Sequence, residues 1–114
     1  MKSHLINLMD GTKLEIKINF GTIYYLQKCK GFYLIAKKVE DKKKLSDSES
    51  FEMAAAIIYA TIRSNGKAVT FDEAISLMPP GIDEIKSVLK DFEKEYEKYS
   101  KKKQAKQKMK NLAQ

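Results

Sequence analysis

The side chains best suited to nucleophilic chemistry are His4 and Cys29, the only imidazole and the only thiol of the chain. A Cys–His nucleophile requires the two groups to be adjacent in space and oriented by a third group. His4 stands beside the end of a predicted strand and Cys29 stands in a predicted helix, where a free cysteine usually acts as a small hydrophobic residue. We therefore expect a structural role for Cys29 and no enzyme activity.

Metal and phosphate sites are not predicted either. There is no second His or Cys to complete a metal site, and the acidic residues are spread along helix surfaces. The glycines are isolated from one another and form no phosphate-binding loop. Acidic pairs such as Asp83 with Glu84 fall in first helical turns, where the helix dipole explains them. We expect no cofactor and no metal ion.

The positive charge is concentrated at the end of the sequence. The formal net charge is +7, but residues 101–114, KKKQAKQKMKNLAQ, hold six lysines and no acid, so the first hundred residues are close to neutral. These lysines are Lys101, Lys102, Lys103, Lys106, Lys108 and Lys110. Nucleic-acid surfaces usually combine arginine with aromatic residues, and this tail has neither. The composition favours a solvated basic tail over a nucleic-acid site.

The length of 114 residues predicts one globular domain over residues 1–99 and a basic tail over 100–114, either helical or disordered. A single cysteine allows no intrachain disulfide, and no apolar N-terminal stretch indicates export. The apolar run from Phe51 to Ile62 is about twelve residues long, whereas a bilayer requires about 20. We expect a cytosolic protein that does not enter membranes.

Residues 3–18 predict a β-hairpin whose register depends on its loop. A two-residue Asp10-Gly11 loop splits the apolar side chains between the two faces, whereas a three-residue loop that begins at Met9 gathers four of them on one face. We prefer the second register, in which Ile6 pairs with Leu14 and His4 with Ile16. The face that it buries consists of Ile6, Leu8, Leu14 and Ile16. An isolated hairpin is marginal in water, so helices must cover this face.

Helices are predicted over the rest of the domain. Residues 20–41 form two short helices with Gly31 ending the first, and residues 48–65 form an alanine-rich central helix that ends at Asn65-Gly66. Ser46 with Glu49 and Thr70 with Glu73 have capping-box spacing, so the second pair opens a helix over 71–78. The inward stripes are predicted to be Phe51, Ala55, Ile58 and Ile62 in the central helix, and Phe71, Ala74, Ile75 and Met78 in the next. The fold class is α+β and mainly α-helical: an N-terminal β-hairpin packed on a small helical bundle, followed by a long C-terminal helix and the basic tail.

The C-terminal helix, predicted over 82–100, carries a seam of apolar residues spaced by three and four. These are Ile82, Ile85, Leu89, Phe92, Tyr96 and Tyr99. A small domain can cover the first half, so we expect the second half to project and to bind a partner, with all six packing on the domain as the alternative. The candidate interaction residues are Ile85, Leu89, Phe92, Tyr96 and Tyr99. Charged substitutions at Phe92 and Tyr96 are expected to abolish binding while the fold persists.

The stretch SFEMAAAIIYATIRSNGKAVTFDEAISLMPPGIDEI, with a strand-rich segment before it and a lysine-rich helical end after it, resembles the tail assembly chaperones of long-tailed bacteriophages. The resemblance is to members from phages and prophages of Gram-positive bacteria and covers nearly the whole chain. Its most specific part is the apolar helix that runs into SNG and is followed by TFDEAISLMP.

This resemblance implies a non-enzymatic role in virion assembly. Proteins of the family bind the tape measure protein in the host cytoplasm, help the major tail protein polymerise around it, and are absent from the mature virion. In many members a ribosomal frameshift yields a longer form with an added C-terminal domain. The tape measure protein and, through such a form, the major tail protein are the partners implied here. Self-association is left open, and no catalytic residue carries over.

A small nucleic-acid-binding regulator is the alternative. The stretch TFDEAISLMPPGIDEIKSVLKDF could form a short helix, a turn and a longer helix that imitate a helix-turn-helix, and the basic tail adds positive charge. However, the longer helix opens with Asp83 and Glu84, which phosphates would repel.

Overall fold

The computed structural model describes residues 5–29 and 31–112, with side chains described as far as Lys101. Its elements are β1 (Leu5–Asn7), β2 (Lys13–Glu15), α1 (Phe20–Gln27), α2 (Phe32–Glu40), α3 (Asp47–Ser64), α4 (Phe71–Ser76) and α5 (Ile82–Leu112). The predicted class, mainly α-helical with one hairpin, is confirmed. No helix among these residues is long and apolar enough to cross a bilayer.

The hairpin has the predicted three-residue loop. Ile6 lies opposite Leu14 in an antiparallel pair, and the Leu8 N–H donates to the Thr12 carbonyl at 2.8 Å. Gly11 has φ +87°, a left-handed conformation that favours glycine. The four side chains expected on one face, Ile6, Leu8, Leu14 and Ile16, are all buried. The other predicted pair, His4 with Ile16, stays a prediction because His4 lies outside the described residues.

Helix α3 is the centre of the domain, since it packs against α1, α2, α4 and α5. Its middle is buried on nearly every side: Ala54, Ile57, Ile58 and Ala60 have no accessible surface. The small alanine side chains allow neighbouring backbones to approach closely, which explains how one helix accommodates four others. Phe51 differs from the prediction, because it is 37% exposed. Helical periodicity gives the direction of a side chain but not whether a neighbouring element reaches it.

Both ends of α3 are capped as predicted. The Ser46 hydroxyl accepts from the Glu49 N–H at 3.1 Å, and the Glu49 carboxylate accepts from the Ser46 N–H at 3.0 Å. At the other end Gly66 is left-handed, with φ +91°, and donates its N–H to the Arg63 carbonyl. The Lys67 N–H reaches the Ile62 carbonyl at 3.4 Å, which completes a Schellman motif.

Helix α1 lies against the C-terminal end of α3 through a polar contact that the sequence analysis missed. Thr22 is fully buried, and its hydroxyl donates to the Lys17 carbonyl at 3.1 Å and lies 3.3 Å from the Ser64 hydroxyl. Thr22 also forms a capping box with Asn19. A Cβ added at Gly21 would lie 3.1 Å from Asn19 Oδ1, closer than most Cβ contacts, so glycine leaves room for the capping side chain.

Two predicted helix boundaries, those of α1 and α4, need correction. Helix α1 ends at Gln27, before Gly31, and the left-handed Gly31 instead precedes the first residue of α2. Helix α4 ends at Ser76 and not at 78 because its last turn tightens, with the Met78 N–H donating to the Ile75 carbonyl. Within α4, Ala74 is buried as predicted, whereas Phe71 is 38% exposed. Helix α5 continues beyond 100 to Leu112.

The length of α5 gives the molecule an elongated shape. Its 31 residues correspond to about 46 Å at 1.5 Å per residue, and the principal extents are 50 × 32 × 29 Å. The radius of gyration is 14.8 Å, against about 13 Å for a compact domain of this size. The basic tail was predicted to be either helical or disordered, and its backbone is helical as far as Leu112.

The end of α2 contains a residue in a strained conformation. Lys42 has φ +59°, and the N–H groups of Lys42 and Lys43 donate to the Val39 and Lys38 carbonyls in a second Schellman motif. Because glycine adopts this conformation without steric cost, Lys42→Gly should raise the free energy of unfolding by about 0.5–1 kcal/mol. Urea denaturation measures this. The control Lys44→Gly, two residues further on, should give no gain; an equal gain there would contradict the interpretation.

Glu49 is expected to make the free energy of unfolding depend on pH. Its carboxylate accepts from the Lys38 ammonium and from the Ser46 N–H, and these contacts lower its pKa from 4.5 to about 2. The stabilisation is present above about pH 4.5 and is lost as the pH falls toward 2. In the Glu49→Gln variant, the free energy of unfolding should therefore fall less steeply than in the native chain as the pH is lowered from about 4.5 to about 2. Urea denaturation at low salt measures the slope, with Glu97→Gln at an exposed site as control; parallel slopes for Glu49→Gln and the native chain would contradict the assignment.

Candidate protein-interaction surface

Three aromatic residues of α5, Phe92, Tyr96 and Tyr99, form a continuous row that we call the α5 aromatic row. The Phe92 ring packs edge-to-face on Phe32 of α2 with centroids 6.2 Å apart. The Tyr96 ring stacks on Phe92 at 5.9 Å, and the Tyr99 ring follows at 6.5 Å. The row is therefore attached to the domain at one end through α2.

Exposure differs between the three side chains of this row. Phe92 is 6% exposed, whereas Tyr96 is 48% exposed and Tyr99 is half-buried. A tyrosine held by a buried neighbour presents an apolar ring and a polar hydroxyl at little cost in side-chain entropy. This arrangement is able to receive the apolar face of another protein segment.

The structure separates the five predicted interaction residues into two groups. Ile85 and Phe92 are core residues, with 5% and 6% exposure, so they present little surface to a partner. Leu89, Tyr96 and Tyr99 remain partly accessible. The expectation that charged substitution of Phe92 would spare the fold is therefore corrected, because a charge at that position would be buried without a partner.

The sequence analysis also assigned the seam of α5 incompletely. Val88 is fully buried and belongs to the core, whereas Ile82, which opened the predicted seam, is 41% exposed. Steps of three and four residues fit Ile85, Val88 and Phe92 as well as they fit Ile85, Leu89 and Phe92. Only the packing of α5 distinguishes these alternatives.

The basic tail follows the aromatic row along the same helix. Lys101 is exposed, and the helical backbone continues to Leu112. The side chains of the remaining predicted tail lysines, Lys102, Lys103, Lys106, Lys108 and Lys110, lie outside the described part. A positive contribution from them to partner binding stays a prediction.

Of the two groups considered for catalysis, the structure describes Cys29. Cys29 is half-buried, its thiol donates to the Tyr25 carbonyl at 3.6 Å, and burial raises its pKa, which disfavours the reactive thiolate. His4 lies outside the described residues. Within the described ranges, no three His, Cys, Asp or Glu side chains lie together as a potential metal site.

The segment proposed to imitate a helix-turn-helix consists of α4 and the start of α5. Asp83 and Glu84 are exposed in the first turn of α5, while Ile85 and Val88 face the core. The exposed first turn of the helix that would enter a DNA groove therefore carries two acids, which opposes contact with phosphates at that end.

A shallow groove of about 350 Å³ lies between β2 and the connection from α3 to α4. Its charged residues have both signs: Asp10 and Glu15 face the same space as Lys13, Lys17 and Lys67. The sequence analysis did not find it, because its walls come from segments about fifty residues apart in the chain. With charges of both signs and neither His nor Cys in its lining, the groove indicates no particular class of ligand.

The burial difference along the row predicts unequal mutational effects. Phe92→Ala should lower the free energy of unfolding by about 3–5 kcal/mol, because it removes a buried ring that contacts both Phe32 and Tyr96. Tyr96→Ala, at a half-exposed position, should lower it by about 1 kcal/mol or less. Urea denaturation of both variants measures the difference. Equal losses would mean that Tyr96 is also a core residue and unavailable for binding.

Comparison of the chain with protein-family models, with curated proteins and with solved structures gave no match. Its function must therefore be argued from its own residues. The most informative of these are the aromatic side chains that a buried residue holds at the surface of a long projecting helix.

Proposed function

We propose that this protein is a tail assembly chaperone of a long-tailed bacteriophage or prophage. In this role it binds the tape measure protein in the bacterial host cytoplasm, keeps the apolar helical segments of that client soluble, and assists assembly of the tail tube. It acts as a binding protein and not as an enzyme. A longer form with an added C-terminal domain recruits the major tail protein.

The observation that carries the proposal is the α5 aromatic row. Tyr96 is half-exposed and is positioned by the buried Phe92, so the helix offers a prearranged apolar surface. A long helix-rich client presents apolar side chains at i, i+3, i+4 and i+7, and these fit such a helical surface. The sequence resemblance to tail assembly chaperones supplies the identity of the client.

Two further features support this role. The lysines after Tyr99 continue along the same helix and would attract acidic client segments, an effect that salt screens over about 8–10 Å. The raised pKa of the Cys29 thiol disfavours the one nucleophile considered for an enzyme. The nucleic-acid alternative has no comparable support, because the exposed start of α5 is acidic.

Co-purification tests the proposal. The tagged chain, co-expressed with the tape measure protein of the same phage, should capture that protein and keep it in the soluble fraction. The double variant Tyr96→Ala, Tyr99→Ala should reduce the captured amount about tenfold, since aromatic residues of this kind dominate binding energies. Circular dichroism establishes that the variant is folded.

The matched control is Met9→Ala, which truncates a side chain that is 58% exposed in the hairpin loop and lies outside α5. It should capture the client as the native chain does. Failure of the native chain to capture or solubilise the tape measure protein would overturn the proposed function. Undiminished capture by the double variant would instead show that the client binds elsewhere on the chain.

A further inference from the structure

A second aromatic surface lies on α1, α3 and α4, on different residues from the α5 aromatic row. We call it the α1 patch, and it consists of Phe20, Tyr24, Tyr25, Tyr59 and Phe71 with the cations Lys28 and Arg63. Successive rings meet edge-to-face: Tyr24 with Tyr25 at 5.1 Å, Tyr25 with Tyr59 at 6.2 Å, and Tyr59 with Phe71 at 5.9 Å. Three helices thus contribute to one continuous surface.

The accessible part of the patch consists of Phe20, Tyr24 and Phe71, whereas Tyr25 and Tyr59 are half-buried against the core. Phe20 is 80% exposed, the highest value for a large hydrophobic residue in the described part of the chain, and Tyr24 is 49% exposed. The two stand four residues apart, so they are neighbours on the same face of α1. A cluster of exposed aromatic side chains on a small domain is typical of a binding surface.

Two cations lie close to the Tyr25 ring. The Arg63 guanidinium is 4.9 Å from the centre of its ring, and the Lys28 ammonium is 5.9 Å from it and 4.5 Å from the centre of the Tyr24 ring. Arg63 is the only arginine of the chain. Positive charge therefore lies directly against the aromatic surface, where cation–π contact holds it in place.

These cations lack counter-charges within the described residues. Neither Lys28 nor Arg63 forms an ion pair there, and the buried Nε of Arg63 has no hydrogen-bond acceptor. Helix α1 contains no acidic residue, and α3 contains none after Glu52. On α4, the exposed acids Asp72 and Glu73 directly follow Phe71 in the sequence.

We propose that the α1 patch binds an acidic amphipathic helix of a partner protein. The apolar side chains of the partner lie on Phe20 and Tyr24, and its carboxylates lie at Lys28 and Arg63. Asp72 orients the complex, because it repels carboxylates from the Phe71 border. Phe20 and Tyr24 stand four residues apart on α1, and Tyr59 and Arg63 stand four residues apart on α3. One helix packs on another along rows of residues with this spacing.

Single-stranded nucleic acid also stacks on aromatic residues near cations, but the observations favour a protein. A backbone-tracking groove carries a series of cations, whereas this patch has two and is bordered by an acid. A protein helix that carries carboxylates beside apolar side chains matches both the cations and the aromatic rings of the patch. The proposal does not depend on the tail-assembly role.

The test uses the purified full chain and a labelled synthetic peptide of about 20 residues, long enough to form a helix. The peptide carries leucine at i, i+3, i+4 and i+7 and glutamate on the flanking positions. A second peptide replaces every glutamate by lysine. By fluorescence anisotropy at low salt, the acidic peptide should bind about tenfold more tightly than the basic one, and the difference should shrink as salt is added.

Variants then locate the site. Lys28→Gln with Arg63→Gln should weaken binding of the acidic peptide about three- to tenfold, and Phe20→Ala should weaken it about tenfold. Because Phe20 is almost fully exposed, its truncation keeps the test valid even if Arg63→Gln perturbs the fold. The matched control is Leu34→Ala, which removes a side chain that is 74% exposed on α2 and outside the patch; it should leave binding unchanged.

Several outcomes would overturn the proposal. Equal affinity for the two peptides would show that the charge of the partner is not recognised. Equal losses of affinity in Phe20→Ala and Leu34→Ala would show that the peptide does not bind at the α1 patch. Tight binding of a single-stranded oligothymidine that Phe20→Ala abolishes, without binding of the acidic peptide, would assign the patch to nucleic acid. Each of these results leaves the tape-measure experiment unaffected, because that experiment varies Tyr96 and Tyr99.

Discussion

The rest of this structure depends on the close packing that the alanines of α3 permit. Four helices contact α3, and at Ala54 and Ala60 no surface is left for solvent. Larger side chains at these positions would hold neighbouring backbones apart, since protein interiors accept little added volume without strain. Helix α3, with 18 residues, therefore supplies more of the buried core than any other element. The hairpin joins this core through the contact of β1 with α5.

This arrangement explains why functional residues lie at the periphery. A core centred on one helix can cover only part of α5, which is 31 residues long, so its later turns extend past the domain. Tyr96 and Tyr99 lie where coverage ends, with Phe92 holding the row in place. On α1 the inward side is taken by Leu26 and Thr22, which leaves Phe20 and Tyr24 facing outward. A small domain buries only part of the surface of its helices, and both aromatic surfaces lie on the part that stays accessible.

Local signals in the sequence predicted the elements well. Capping boxes at Ser46 and Thr70, and Gly66 after α3, gave correct helix ends, because capping involves groups only a few residues apart. The hairpin register followed from the rule that apolar side chains share one face. A local signal misled at Gly31, which was expected to end the first helix but instead precedes α2. No local signal marked Lys42, which adopts a left-handed conformation without being glycine.

The sequence by itself determined the fold class, the buried central helix and the absence of an evident catalytic motif, since each depends on composition or on short-range periodicity. Tertiary structure alone decided which side of α5 is core, choosing Val88 and leaving Leu89 partly exposed. It also brought Tyr25, Tyr59 and Phe71 together from three helices, beside Arg63, which forms no ion pair within the described part of the chain. Exposure and contact between distant segments depend on which elements lie against each other, and no local pattern of residues specifies that.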